Sequence, residues 1–226
     1  MVEFSLPPTH KSPVDKSPGH NTVQTDQATL TRYYRWHAKI YDATRWSFLF
    51  GRAALIDALA ARRRATRILE VGCGTGKNLL GLANAFPDAD ITGIDLSADM
   101  LTIAQRNLAP LHDRVQLRQE AYGAELQRQP RYDLILFSYA LTMFNPGWEA
   151  AIAQAQRDLV SDGTLAVVDF HLTTIPPFER WMATNHVRMN GHLLPAMRKQ
   201  FPPVACEIAP AYGGLWHYFM FIGKKA

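Results

Sequence analysis

Cysteine is scarce in this sequence, with only Cys73 and Cys206 among 226 residues. A disulfide framework and a four-cysteine zinc site are thereby excluded. Long apolar runs are missing too. The longest, Leu134 to Phe144, has 11 residues and is broken by Ser138 and Thr142, whereas a bilayer span takes about 20. The opening residues MVEFSLPPTHKSPVDK lack a basic stretch followed by an apolar run, so no signal peptide and a cytoplasmic location are expected. Charged residues are modest at 19% against a hydrophobic share of 47%. That balance excludes global disorder and suits one large α/β domain, with or without an extension.

What charge there is falls unevenly. Residues 1–67 hold 11 Lys/Arg against 5 Asp/Glu, and residues 68–226 hold 13 against 15, giving +6 and −2. A basic front end suits an anionic partner surface, lipid headgroups or nucleic acid, and equally a solvated helix face. Residues 1–27 are rich in Pro, Ser, Thr, Lys and His without periodicity and read as a flexible tail. Residues 28–64 read as an N-terminal helical cap, in which Arg32, Arg35 and Lys39 recur at helical spacing and Gly51 divides two helices.

From Arg67 onward, apolar strand patterns alternate with helical ones. Strands are expected at Arg67–Val71, Asp90–Asp95, Arg114–Arg118, Tyr132–Phe137 and Thr164–Phe170, with helices near 77–85, 97–108 and 148–160. The expected fold is α/β, a doubly wound and mostly parallel sheet. At the C-terminal end, Val204–Ile208 and Leu215–Ile222 flank the Pro- and Gly-containing turn Ala209–Gly214, so an antiparallel hairpin should close the sheet. Ile175 to Phe201 reads as a helical or irregular insertion before it.

Chemistry concentrates in Ile68-Leu-Glu-Val-Gly72-Cys-Gly74-Thr-Gly76-Lys-Asn78, an apolar strand running through three glycines into a helix. Such a loop lets backbone approach a nucleotide-like ligand closely, with unpaired N–H groups at the helix start. A phosphate-cradling P-loop needs four residues between its first Gly and Gly-Lys, then Ser or Thr; here three intervene and Asn78 follows Lys77. The dinucleotide fingerprint needs glycine where Lys77 stands. What remains is E-x-G-x-G-x-G followed by Gly93-Ile-Asp95-Leu-Ser97, with a carboxylate at the tip of the second strand able to accept ribose hydroxyl protons. These paired motifs resemble the first two motifs of Rossmann-like S-adenosylmethionine-dependent methyltransferases, over roughly residues 65–226. The antiparallel last strand resembles that family as well.

The resemblance implies S-adenosylmethionine as cofactor and S-adenosylhomocysteine as product. Glu70, Gly72, Cys73, Gly74 and Gly76 would line its methionine and ribose side, Asp95 would hold the ribose, and Leu96 and Met100 would lie against adenine. Glu120-Ala121 stand where the family has Asp and a small residue near the adenine amine, and Ser138, at the fourth strand end, joins the cofactor residues. An Asn/Asp-Pro-Pro-Tyr motif at that strand end is absent, which argues against base methylation and hence a nucleic-acid partner. No metal-ligand cluster is present, so no metal is expected. Tyr139 and His171, ending the fourth and fifth strands, are candidates to hold an acceptor or take its proton, although a core tyrosine and a structural histidine are ordinary alternatives. Tyr41 and Arg45 would reach the methionine carboxylate, Tyr41 also serving the catalytic site.

The string Tyr41-Asp-Ala-Thr-Arg-Trp-Ser-Phe-Leu-Phe-Gly-Arg52 further resembles bacterial betaine-lipid N-methyltransferases. That likeness implies a lipid headgroup amine as acceptor, diacylglyceryl-homoserine or phosphatidylethanolamine, and a basic aromatic helix resting on an anionic membrane, peripheral on its inner face. Plain core packing of the same aromatics is the alternative. A small soluble acceptor or quinone precursor, or a non-catalytic cofactor-binding subunit, is the competing functional reading.

Overall fold

In the first strand, β1 (Arg67–Val71), every residue after Arg67 is buried, and in β4 (Tyr132–Ser138) only Asp133 is not. Runs of this kind suit strands covered on both faces. A computed structural model of the chain describes residues 49–62, 65–123, 131–184 and 186–226. The expected tail and most of the expected cap, with Tyr41 and Arg45, lie outside the described residues.

The remaining elements are α1 (Arg52–Ala60), α2 (Lys77–Ala85), β2 (Asp90–Asp95), α3 (Ala98–Asn107), β3 (Val115–Gln119), α4 (Trp148–Asp158), β5 (Leu159–Leu172), α5 (Pro176–Thr184), α6 (Leu193–Gln200), β6 (Pro203–Ala211) and β7 (Trp216–Lys224). The seven strands run in the order β3-β2-β1-β4-β5-β7-β6. All neighbours pair in parallel except β7, which is antiparallel to both β5 and β6. Leu55, Ile56, Leu79, Leu82 and Ala104 of α1, α2 and α3 form one apolar layer with Trp216 and Ile222. Ala151, Ile152 and Ala155 of α4 and Leu193 and Met197 of α6 form the opposite layer with Phe137, Phe219 and Phe221.

Several boundaries differ from the pattern. β3 runs one residue later than expected, and β5 begins at Leu159 rather than Thr164 because Tyr132 of β4 pairs with Leu159 before the register shifts. Long-range pairing thus carries β5 back through Ser161-Asp162-Gly163, residues that the expected helix and strand left between them. The hairpin turn shrinks to Tyr212–Gly214, since Ala209, Pro210 and Ala211 pair with Tyr218, His217 and Trp216. The insertion resolves into α5 and α6.

Candidate functional site

β1 and β4 are adjacent, and successive strands wind outward from them in opposite directions. The crevice beyond their C-terminal ends is therefore the topological switch point where open α/β sheets take ligands. A cleft opens there, lined by Leu49, Arg52, Glu70, Gly72–Thr75, Lys77, Asn78 and Ser138. The glycine loop is shaped by backbone that side chains resist. Gly72, Gly74 and Gly76 have φ of 72°, 54° and 79°, and a Cβ on Gly72 would stand 2.9 Å from that of Ala140. Gly76 caps α2, whose first N–H groups face the loop.

Two carboxylates frame this loop. Asp95 accepts from Gly74 N–H at 2.8 Å and from Ser97 N–H at 2.9 Å, one bond to each oxygen, so both oxygens keep a lone pair for a further donor. Glu70 is 1% exposed, and its Oε1 accepts from Asn78 Nδ2 at 2.7 Å. Burial first, then the charges of Glu70 and Asp95, push the Cys73 thiol far up. It is a protonated packing group and no nucleophile. Ser138 is buried, and among the described residues its Oγ has no hydrogen-bond partner although it lines the cleft. An orphaned hydroxyl at a crevice wall is a position that a ligand satisfies.

These residues fit S-adenosylmethionine. Asp95 is placed for ribose hydroxyls and the loop for close backbone contact, while Leu96, 58% exposed beyond β2, and buried Met100 offer apolar surface to an adenine. Glu120 and Ala121 follow β3 directly, Glu120 half-buried and Ala121 exposed. Pattern reading missed Leu49 and Arg52. Arg52 opens α1 just after Gly51, whose φ is 79° and where a Cβ would meet Tyr218 Cε2 at 2.6 Å. The lone glycine between two helical patterns was the available signal.

Tyr139 and His171 do not meet in the cleft. Tyr139 is 1% exposed, and its hydroxyl donates to Phe50 O at 2.8 Å, an arrangement that ties the end of β4 to the segment before α1. Burial, helped by the charge of Asp169, raises its pKa, so it stays a neutral phenol. His171 lies with its ring 5.9 Å from that of Phe219, in the layer facing α6, and its buried Nδ1 has no partner among the described residues. Burial, then His217 and Arg198, lower its pKa. Beside the cleft, Phe50 meets Tyr212, Trp216 and Tyr218 with ring centroids 5.3, 5.8 and 6.1 Å apart. Among the described residues no cluster of three metal-ligating side chains occurs, and no helix is long and apolar enough to cross a membrane.

The sheet order, the switch-point crevice and the antiparallel closing hairpin define a fold class, that of the Rossmann-like methyltransferases. Residues 68–163 match the family described as methyltransferase domain. The chain is 32% identical over 145 residues to a malonyl-[acyl-carrier protein] O-methyltransferase of Priestia megaterium, covering 62% of this chain and 51% of that one. It is 28% identical over 153 residues to a ubiquinone/menaquinone biosynthesis C-methyltransferase of Syntrophotalea carbinolica, covering 66% and 64%. The chain thus spans about half to two thirds the length of these curated relatives. Among solved structures, the Burkholderia thailandensis 1,6-didemethyltoxoflavin-N1-methyltransferase, with that compound and S-adenosylhomocysteine bound, superposes with a TM-score of 0.68 at 19% identity, over 95% of this chain and 94% of that one.

Proposed function

We propose that the protein transfers a methyl group from S-adenosylmethionine to a small-molecule acceptor. The observation that carries this reading is one cleft holding the glycine loop, its Gly74 N–H bonded to Asp95, and the unpartnered Ser138 Oγ. When bound, the cofactor supplies a methyl group on a sulfonium, an electrophile that needs chiefly an in-line lone pair and a dry approach. The protein's part is binding and alignment. Asp95, already oriented by Gly74 and Ser97, takes the ribose hydroxyls. Glu70 and Asn78 close the cleft floor. Arg52, the cation carried into the cleft by the start of α1, takes the methionine carboxylate. Phe50 and Tyr212, exposed beside the cleft and packed edge-to-face, give the acceptor an aromatic rim. The names of the relatives, divided among a malonyl-[acyl-carrier protein] O-methyltransferase, a quinone-biosynthesis C-methyltransferase and a trans-aconitate 2-methyltransferase, favour carboxylate and quinone-precursor acceptors without fixing the type.

A lipid headgroup amine is the second reading. Phe50 and Tyr212, 38% and 53% exposed beside the cleft, favour it, since such rings suit a membrane interface. Calorimetry with S-adenosylhomocysteine should show binding to wild type and a loss of about tenfold or more in Asp95→Ala. Unchanged affinity in the variant would remove Asp95 from the site. Isotope-labelled cofactor incubated with quinone precursors, carboxylic acids, and vesicles of diacylglyceryl-homoserine or phosphatidylethanolamine then separates the acceptors by product mass. Label in lipid alone favours the second reading, and cofactor binding with no labelled product favours a non-catalytic subunit.

A further inference from the structure

A second cavity, of about 240 Å³, lies at the opposite end of the strands from the glycine loop. Leu134 of β4 lines it while Ser138 of the same strand lines the cleft, so the two openings are separated by about 13 Å of strand. Its walls are apolar: Leu59 of α1, Phe86 after α2, Leu134, and Ile222 of β7, all less than a tenth exposed. Its remaining lining is unevenly charged. Asp133 is already engaged by Thr66 N and Oγ1 at 2.9 and 2.7 Å and by Arg67 N at 2.9 Å, and it pairs with the Arg67 guanidinium at 3.4 Å. Arg62 and Lys224 also line the cavity, and among the described residues neither forms an ion pair with Asp133 or any other carboxylate. Arg62 donates only to Ala58 O of the preceding helix, and the Lys224 ammonium makes no hydrogen bond or ion pair among the described residues.

An apolar cavity beside two unneutralised cations is complementary to one kind of molecule, an aliphatic chain ending in an anion. We propose that this cavity binds a medium-chain fatty carboxylate, its tail among Leu59, Phe86, Leu134 and Ile222 and its carboxylate between Arg62 and Lys224. The volume holds roughly eight waters, and so an aliphatic chain of about that many carbons. The site is independent of the methyl-transfer cleft, and its occupancy does not depend on which acceptor that cleft takes.

The test is calorimetric titration of the full chain with octanoate, octanol and octyltrimethylammonium, three probes sharing a tail and differing in head charge. Octanoate should bind, octanol about tenfold more weakly, and the cation weakest of all. Arg62→Gln combined with Lys224→Gln should weaken octanoate about tenfold while leaving octanol unchanged. Val204→Trp, at a lining position 49% exposed and therefore tolerant of the larger ring, should reduce both. S-adenosylhomocysteine should neither displace octanoate nor bind less well in these variants. Failure of octanoate to bind, equal affinity for the cationic probe, or displacement by S-adenosylhomocysteine would overturn the proposal. So would capture by anionic-lipid vesicles through Arg62 and Lys224 with no affinity for monomeric octanoate, since that would make the patch a membrane contact.

Discussion

At the scale of single residues, Tyr139 and Arg52 divide the labour at the cleft. Tyr139 holds a φ of 53°, uncommon for a residue with a side chain, and donates to a carbonyl 89 residues earlier in the chain. Its phenol is thus a tether for the segment that brings in Leu49 and Arg52. Tyr139→Phe should cost about 1 kcal/mol in urea unfolding and raise the Kd for S-adenosylhomocysteine a few-fold, with kcat nearly kept. A hundredfold fall in kcat at unchanged Kd would instead make the hydroxyl the proton acceptor. In the proposed reading Arg52, which lines the cleft, acts on the ligand itself. Arg52→Gln should weaken S-adenosylhomocysteine about tenfold yet leave 5′-methylthioadenosine, which lacks the methionine carboxylate, unaffected. Equal losses for both ligands would assign Arg52 a structural role.

At the scale of elements, α1 reaches the cleft because of one turn. Gly51 precedes it at a φ of 79°, with Tyr218 closing over its Cα. Gly51→Ala should therefore cost more than the roughly 1–2 kcal/mol of a left-handed alanine, since the ring must also shift; a lowered melting temperature with weakened cofactor binding is the expected reading. Elements fixed by their own residues were legible from sequence. β1, β2 and α2 coincide with their patterns, because apolar runs buried on both faces and a glycine-marked helix start are local signals. Elements fixed by partners were not. Ser161-Asp162-Gly163 carries no strand pattern of its own, and it joins β5 through the Leu159 pair on one side and the Lys225 N–H bond to Gly163 O on the other. The site divides the same way. Glu70 to Gly76 and Asp95 are two short motifs joined by one strand pairing, whereas Arg52 arrives through tertiary packing and Tyr139 finds its partner far away in sequence.

At the scale of the whole molecule, one buried carboxylate fastens the turn after β4 to the end of β5. Asp169, at the C-terminal end of β5, is 0% exposed. It accepts from Thr142 N at 3.1 Å, Thr142 Oγ1 at 2.5 Å and Phe170 N at 2.8 Å, fastening the turn Leu141–Met143 that follows β4. Burial outweighs these bonds and pushes its pKa up to about 6. An unfolded aspartate titrates near 3.9, so between about pH 4 and 6 the folded chain binds the extra proton, and this group's contribution to stability falls as pH rises. Asp133 works in the other direction. The hydrogen bonds from Thr66 and Arg67, outweighing its partial burial, hold its pKa below the usual carboxylate value. Its contribution is present above about pH 4 and is lost only as pH falls through that lower value. The two effects therefore occupy separate windows. Asp169→Asn keeps the shape, cannot ionise, and turns an acceptor toward Thr142 into an amide that satisfies fewer donors. Urea unfolding at pH 4, 5, 6 and 7 should show wild type losing stability relative to Asp169→Asn across the window, by on the order of 2–3 kcal/mol. A wild-type-minus-variant difference that stays flat from pH 4 to 7 would mean that Asp169 ionises as an ordinary aspartate, and that the turn after β4 is held without any charge penalty.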